Sequence, residues 1–167
     1  MSSTYEPIAT NTLGSATTTV TFSSIPSTYT DLIIVVNGAA ASGGNNLGIR
    51  FNTDSGSNYS TTRMQGNGSS ATSDRVSSTF IYGNSLPTTL GNGNNIIQIQ
   101  NYANTTTYKT VLTRNSNPAS VVGTTVGLWR GSTGSATEAI TSISLSPEFS
   151  VNWVSGSTFT LYGIKAE

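Results

Sequence analysis

The chain has 167 residues, enough for one domain around a single core. It contains no His and no Cys, and its 7 basic residues balance its 7 acidic residues. Disulfides, thiolate and imidazole metal sites, and the usual nucleophile–base pairs of hydrolases are thereby excluded, and no block of positive charge is available for phosphates.

The rest of the composition is small and neutral. There are 26 Ser, 28 Thr, 16 Asn and 17 Gly residues, about half of the chain. The N-terminal stretch Met1-Ser2-Ser3-Thr4-Tyr5-Glu6-Pro7 has no basic or apolar segment of the signal-peptide type, so synthesis in a cytoplasm is expected. Residues 1–10 are assigned to an N-terminal arm or an edge strand, and 11–167 to a single domain. Thr17–Phe22 alternates, with Val20 and Phe22 on one face and Thr17, Thr19 and Thr21 on the other. Asp31–Asn37 is apolar on both faces, the pattern of a strand covered on both sides. Its run Leu32–Val36 is the longest apolar stretch, far below the ~20 residues of a bilayer span.

Leu47, Ile49 and Phe51 alternate with Gly48, Arg50 and Asn52. Further strands are predicted over Tyr59–Gln65, Arg75–Tyr82, Asn95–Gln100, Tyr108–Asn115, Val121–Arg130, Ile140–Ser146 and Thr158–Ile164, and Ser3–Thr10 is a possible edge strand. Between them lie turn sequences such as Ser42–Asn46, Asp54–Asn58, Asn67–Ser70, Gly91–Asn94 and Gly131–Gly134, rich in residues that tolerate positive φ. No segment carries helical periodicity. The expected fold is all-β: an antiparallel β-sandwich, jelly-roll-like, of about eight to ten strands.

Candidate sites are few. Asn52–Asn58 resembles the start of a calcium loop, but the twelfth position from Asn52 is Arg63 rather than Glu, so the segment reads as a turn held by Asx hydrogen bonds. The acids Glu6, Asp31, Asp54, Asp74, Glu138, Glu148 and Glu167 form no pair in sequence, as a glycosidase would need across its scissile bond. Asp31 reads as a cap on the preceding turn, and Asp74-Arg75 as a local ion pair. Trp129, Trp153 and the tyrosines Tyr59, Tyr82, Tyr102, Tyr108 and Tyr162 suit a core or a subunit interface better than a sugar platform. In Gly127-Leu128-Trp129-Arg130, Leu128 and Trp129 face opposite ways, so one of them points away from the core. The sequons at Asn58, Asn67 and Asn104 are read as chance. No catalytic, metal-binding or cofactor-binding residue is assigned, and the chain is not expected to be an enzyme. Tyr5, Pro7, Ile8, Trp129, Arg130 and Trp153 are the candidate interface residues.

Tyr5-Glu6-Pro7-Ile8-Ala9-Thr10, followed by Val20 to Leu32 with Ser24-Ile25-Pro26-Ser27-Thr28-Tyr29-Thr30-Asp31 at its centre, resembles small virion proteins of tailed bacteriophages, especially cyanobacterial phages. Arg50-Phe51-Asn52, Asp54–Ser60, Asn101–Thr106 and the ending Gly156–Ile164 are similar to the same group, so the resemblance spans nearly the whole chain. It implies a capsid decoration, or cement, protein on the virion exterior with no catalytic residues. Related domains in tail fibres leave a receptor-binding adhesin for host carbohydrate as the alternative. The chain has no coiled coil, collagen-like repeat or shaft, which favours decoration over fibre. The expected partners are the major capsid protein and further copies of the chain, a homotrimer before a dimer. Neither direct nucleic-acid contact nor a membrane is expected.

Overall fold

The computed structural model describes residues 4–43, 45–117 and 121–165. Among them the regular structure is β, apart from a single 3-10 turn at Glu148–Ser150. The larger sheet has eight strands in the order β1 (Tyr5–Thr12), β12 (Thr158–Ile164), β3 (Asp31–Asn37), β8 (Asn94–Ile99), β9 (Lys109–Asn117), β10 (Val121–Trp129), β5 (Tyr59–Gly66) and β6 (Ala71–Ser78). The smaller has four, in the order β2 (Val20–Phe22), β11 (Ile143–Pro147), β4 (Asn46–Phe51) and β7 (Ile81–Ser85). Every pairing is antiparallel. The molecule is an antiparallel β-sandwich.

The alternation of the strands explains the layering. Leu32, Ile34, Val36, Ile97, Ile99, Phe159 and Leu161 of the larger sheet meet Val20, Phe22, Leu47, Ile49, Phe51, Ile143 and Leu145 of the smaller one, all buried. Removing such surface from water is the main favourable term, at about 25 cal/mol per Å² of apolar area. Trp153 closes one side of the core. It makes single bridges to Thr17 and Ala40, donates its indole N–H to the Leu145 carbonyl at 3.1 Å, and packs edge-on against Phe159. Gly38 runs beneath it, where an added Cβ would lie 3.0 Å from the indole ring.

Three sequence expectations change. Among the described residues there are twelve strands, partly because the stretch Arg75–Tyr82 is divided: β6 ends at Ser78 in one sheet and β7 begins at Ile81 in the other. No Gly, Pro or Asn marks that crossing. It is held by Arg50, whose Nε donates to the Thr79 carbonyl at 3.0 Å. Second, Asp31 does not cap its own turn; its Oδ1 accepts the backbone N–H of Asn101 at 2.8 Å and so ties β3 to the loop before β9. Third, Asp74 pairs with Arg63 rather than Arg75, because neighbouring residues of a strand point to opposite faces while Arg63 lies directly across on β5.

Candidate functional site

The charged side chains are largely committed to holding the fold. Asp54 is buried; its Oδ1 accepts the N–H of Gly56 at 2.8 Å, its Oδ2 accepts the indole N–H of Trp129 at 2.8 Å, and Asn58 Nδ2 bridges both oxygens at 3.1 Å. The segment that resembles a calcium loop is therefore an Asx turn clamped to a tryptophan. Asn52 is committed too, accepting from Thr141 and Ser142 and donating to the Ala139 carbonyl. Among the described residues no group of three or more acids is gathered as a metal site would gather them.

Arg63 and Asp74 form a two-pronged pair at 2.9 and 2.5 Å, which holds the Asp74 carboxyl below its usual range. Lys165 contacts Glu6 at 2.8 Å and, with the Tyr29 hydroxyl, depresses that carboxyl also. Lys109 is a buried lysine that sequence reading counted only as one of seven scattered bases. Its ammonium donates to the Thr107 carbonyl at 2.7 Å, and desolvation lowers its pKa. The Tyr59 hydroxyl, pushed far up by burial, bridges the backbone of Phe51 and Asp54. These are structural roles.

The residues singled out as interface candidates separate into two groups. Trp129 and Trp153 are 1% and 0% exposed and belong to the core, so neither indole is available to a partner. Trp129 stacks on Tyr59 and tilts against Phe51. Arg130 donates to the Ser57 carbonyl and pins the Asx-turn loop. Tyr5, Pro7 and Ile8 lie in β1, which is paired along its length with β12. A bulge falls between Pro7 and Ala9, and Ile8 packs against the core while Tyr5 is exposed. A bulge and a proline both blunt an edge against further pairing. Met1 to Ser3, the tip of the proposed arm, lie outside the described residues.

The surface that sequence reading missed is the outer face of the larger sheet. One row of cross-strand neighbours runs Ile33, Gln98, Leu112, Val126, Thr62, Arg75 from β3 to β6. The next runs Val35, Ile96, Arg114, Thr124, Met64, Ser73. Met64, Leu112, Val122 and Val126 are exposed at 57%, 46%, 59% and 51%, and all stand on this face. Directly opposite and diagonal neighbours on a sheet lie within ~8 Å, so the four form a continuous patch, extended by half-buried Ile33, Val35, Ile96 and Leu128. Asp31–Asn37, expected to be covered on both sides, is fully covered only on its inner face. The signal in the sequence is the doubly apolar strand itself, whose pattern is the same whether its outer face is covered within the domain or left open.

No family model matches the chain, and no curated protein or solved structure shows significant similarity to it.

Proposed function

We propose that the protein is a non-catalytic structural component of a tailed-phage virion, a decoration protein that cements the capsid lattice from outside. The observation that carries this reading is the exposed apolar face of β5, β9 and β10, with Met64, Leu112, Val122 and Val126 side by side. A solvent-facing sheet of an antiparallel sandwich ordinarily alternates to polar residues, and a contiguous apolar patch of this kind marks a contact surface. The titratable groups support the same reading, because they brace turns and strand edges instead of converging on a cleft. The chain's lack of His and Cys agrees with a mechanical role.

The strand order supports a jelly-roll-like assignment. The chain leaves the smaller sheet after each of its strands and returns to it only by way of the larger one. This interleaving is the Greek-key habit of double-sheet jelly rolls, an architecture that viral capsid domains share with lectins. Function on that architecture resides in the surface and not in the topology. The partners in this reading are the major capsid protein and other copies of the chain, arranged as a trimer on the capsid exterior.

A stable contact buries roughly 1,200–2,000 Å² in total, and occupancy of the bound state stabilises the shell by mass action. Virions assembled without the protein should release DNA at a lower temperature, and adding the purified protein back should restore the wild-type release temperature. Virions that lack the protein, keep full heat resistance and fail to adsorb to host cells would overturn the cement reading in favour of a tail adhesin.

A further inference from the structure

The same outer face carries an unbalanced charge pattern. Every carboxylate among the described residues accepts a hydrogen bond: Glu6 from Lys165, Asp31 from Asn101, Asp54 from Trp129, Asp74 from Arg63, Glu138 from Ser132 and Glu148 from Asn46. Five of the bases are likewise engaged: Arg50 with Thr79, Arg63 with Asp74, Lys109 with Thr107, Arg130 with Ser57 and Lys165 with Glu6. The two that remain, Arg75 and Arg114, have guanidinium groups with no hydrogen-bond or ion-pair partner among the described residues. Both are exposed, and both stand on the outer face of the larger sheet.

Their placement frames the apolar patch. Arg75 lies in the row of Thr62, Val126 and Leu112, and Arg114 lies two residues beyond Leu112 on β9. Three strand spacings and two residues of rise separate their Cα atoms by about 16 Å. Met64, Val126 and Leu112 occupy the space between them. The three residue rows that hold Met64, Leu112, Val122 and Val126 contain no acid across β8, β9, β10, β5 and β6.

We infer that Arg75 and Arg114 receive carboxylates of a protein partner whose docking surface is apolar at its centre and acidic on two sides. The inference rests on the cement reading, in which that partner is the major capsid protein. Guanidinium groups favour such contacts because their fork matches a carboxylate with two parallel hydrogen bonds. A second copy docked through this same face is a poor occupant, since it would set two further exposed guanidinium groups against the same patch. Nucleic acid is also a poor occupant: salt-sensitive binding to duplex DNA draws on roughly six to ten phosphate contacts, and here two cations flank an apolar strip. Rim charges of this type act chiefly on the association rate and on its salt dependence.

The test compares wild-type protein with the double variants Arg75→Gln/Arg114→Gln and Arg75→Lys/Arg114→Lys, binding to capsids that lack the protein at low and high salt. A duplex DNA fragment serves as the second probe. Both positions are exposed, and circular dichroism confirms that each variant is folded before binding is measured. Wild type should bind capsids and lose affinity as salt rises. The Gln pair should bind at least about tenfold more weakly with a shallower salt dependence, and the Lys pair should fall between the two. A Gln pair that matches wild type in affinity and salt dependence overturns the inference and leaves the cement reading standing. Wild type that does not bind capsids overturns both. Tight salt-sensitive binding to the DNA fragment that the Gln pair abolishes would reassign the two arginines to a polyanion.

Discussion

The indole nitrogen of Trp129 donates to Asp54 across 75 residues of sequence, at 2.8 Å, and so fastens the end of β10 to the loop that follows β4. The carboxylate is buried and shared with Gly56 and Asn58, so this one contact closes both a turn and the aromatic cluster of Phe51, Tyr59 and Trp129. Asp54→Ala would strand the indole donor and release the turn, at an expected cost of about 2–3 kcal/mol. Trp129→Phe removes the donor while keeping an aromatic ring and should also destabilise, through lost volume and a less satisfied carboxylate. Urea unfolding of the two variants checks this, and midpoints equal to wild type would mean that the contact is not formed.

Gly127 faces the smaller sheet, and a Cβ there would come within 2.6 Å of the Ile81 side chain. Overpacking of a filled core costs about 1–3 kcal/mol. Gly127→Ala should therefore destabilise the sandwich, and should cost less in an Ile81→Ala background, where the γ and δ carbons that it meets are gone. A double-mutant cycle measures that coupling, and simple additivity would indicate that the two sheets do not meet at this point.

Acid should loosen the β5–β6 edge. The Asp74 carboxyl is held below its unfolded value by the Arg63 hydrogen bonds, so its contribution is full above the unfolded carboxylate range, near pH 3.9, and is lost as pH falls through the folded value. The pair is partly exposed, with 44% of the Asp74 side chain accessible, which limits its worth to about 1 kcal/mol or less. Asp74→Asn should lower stability at neutral pH and flatten the stability profile below pH 4. Thermal melts of both proteins from pH 7 to pH 2.5 provide the comparison; parallel curves would contradict the assignment.

Val126→Ser and Leu112→Ser alter side chains that are about half exposed, and should change folding stability by about 0.5 kcal/mol or less. On the proposed docking face, however, each removes apolar area that would be buried in the complex. Capsid binding should weaken by about tenfold for the pair, read by co-sedimentation. Unchanged binding would move the contact to another face.

Much of the fold was legible because a period of two is hard to disguise. Val20 and Phe22, with Leu47, Ile49 and Phe51, lie where alternation places them, on the inner face of the smaller sheet, and Leu32, Ile34 and Val36 face them from the larger one. The division of Arg75–Tyr82 between sheets was not legible, because Thr79 and Phe80 carry no turn chemistry and the crossing depends on Arg50, distant in sequence. Nor was the partner of Asp74, since strand register decides it. The candidate surface was half visible. Ile33 and Val35 are plainly apolar in the sequence, but whether an outward residue is covered depends on what else the chain lays over it, and alternation alone does not contain that. Trp129 and Trp153, which suit a core or an interface alike by sequence, are core residues because their rings bury a large apolar area.

Whether the domain sits on the capsid shell, as proposed, is tested most directly by electron microscopy of intact virions labelled with an antibody to the protein. A decoration protein should give label distributed over the whole capsid surface at many regularly spaced sites, and none on the tail. Label confined to the tail or its fibres, or purified virions that bind no antibody, would contradict the proposal.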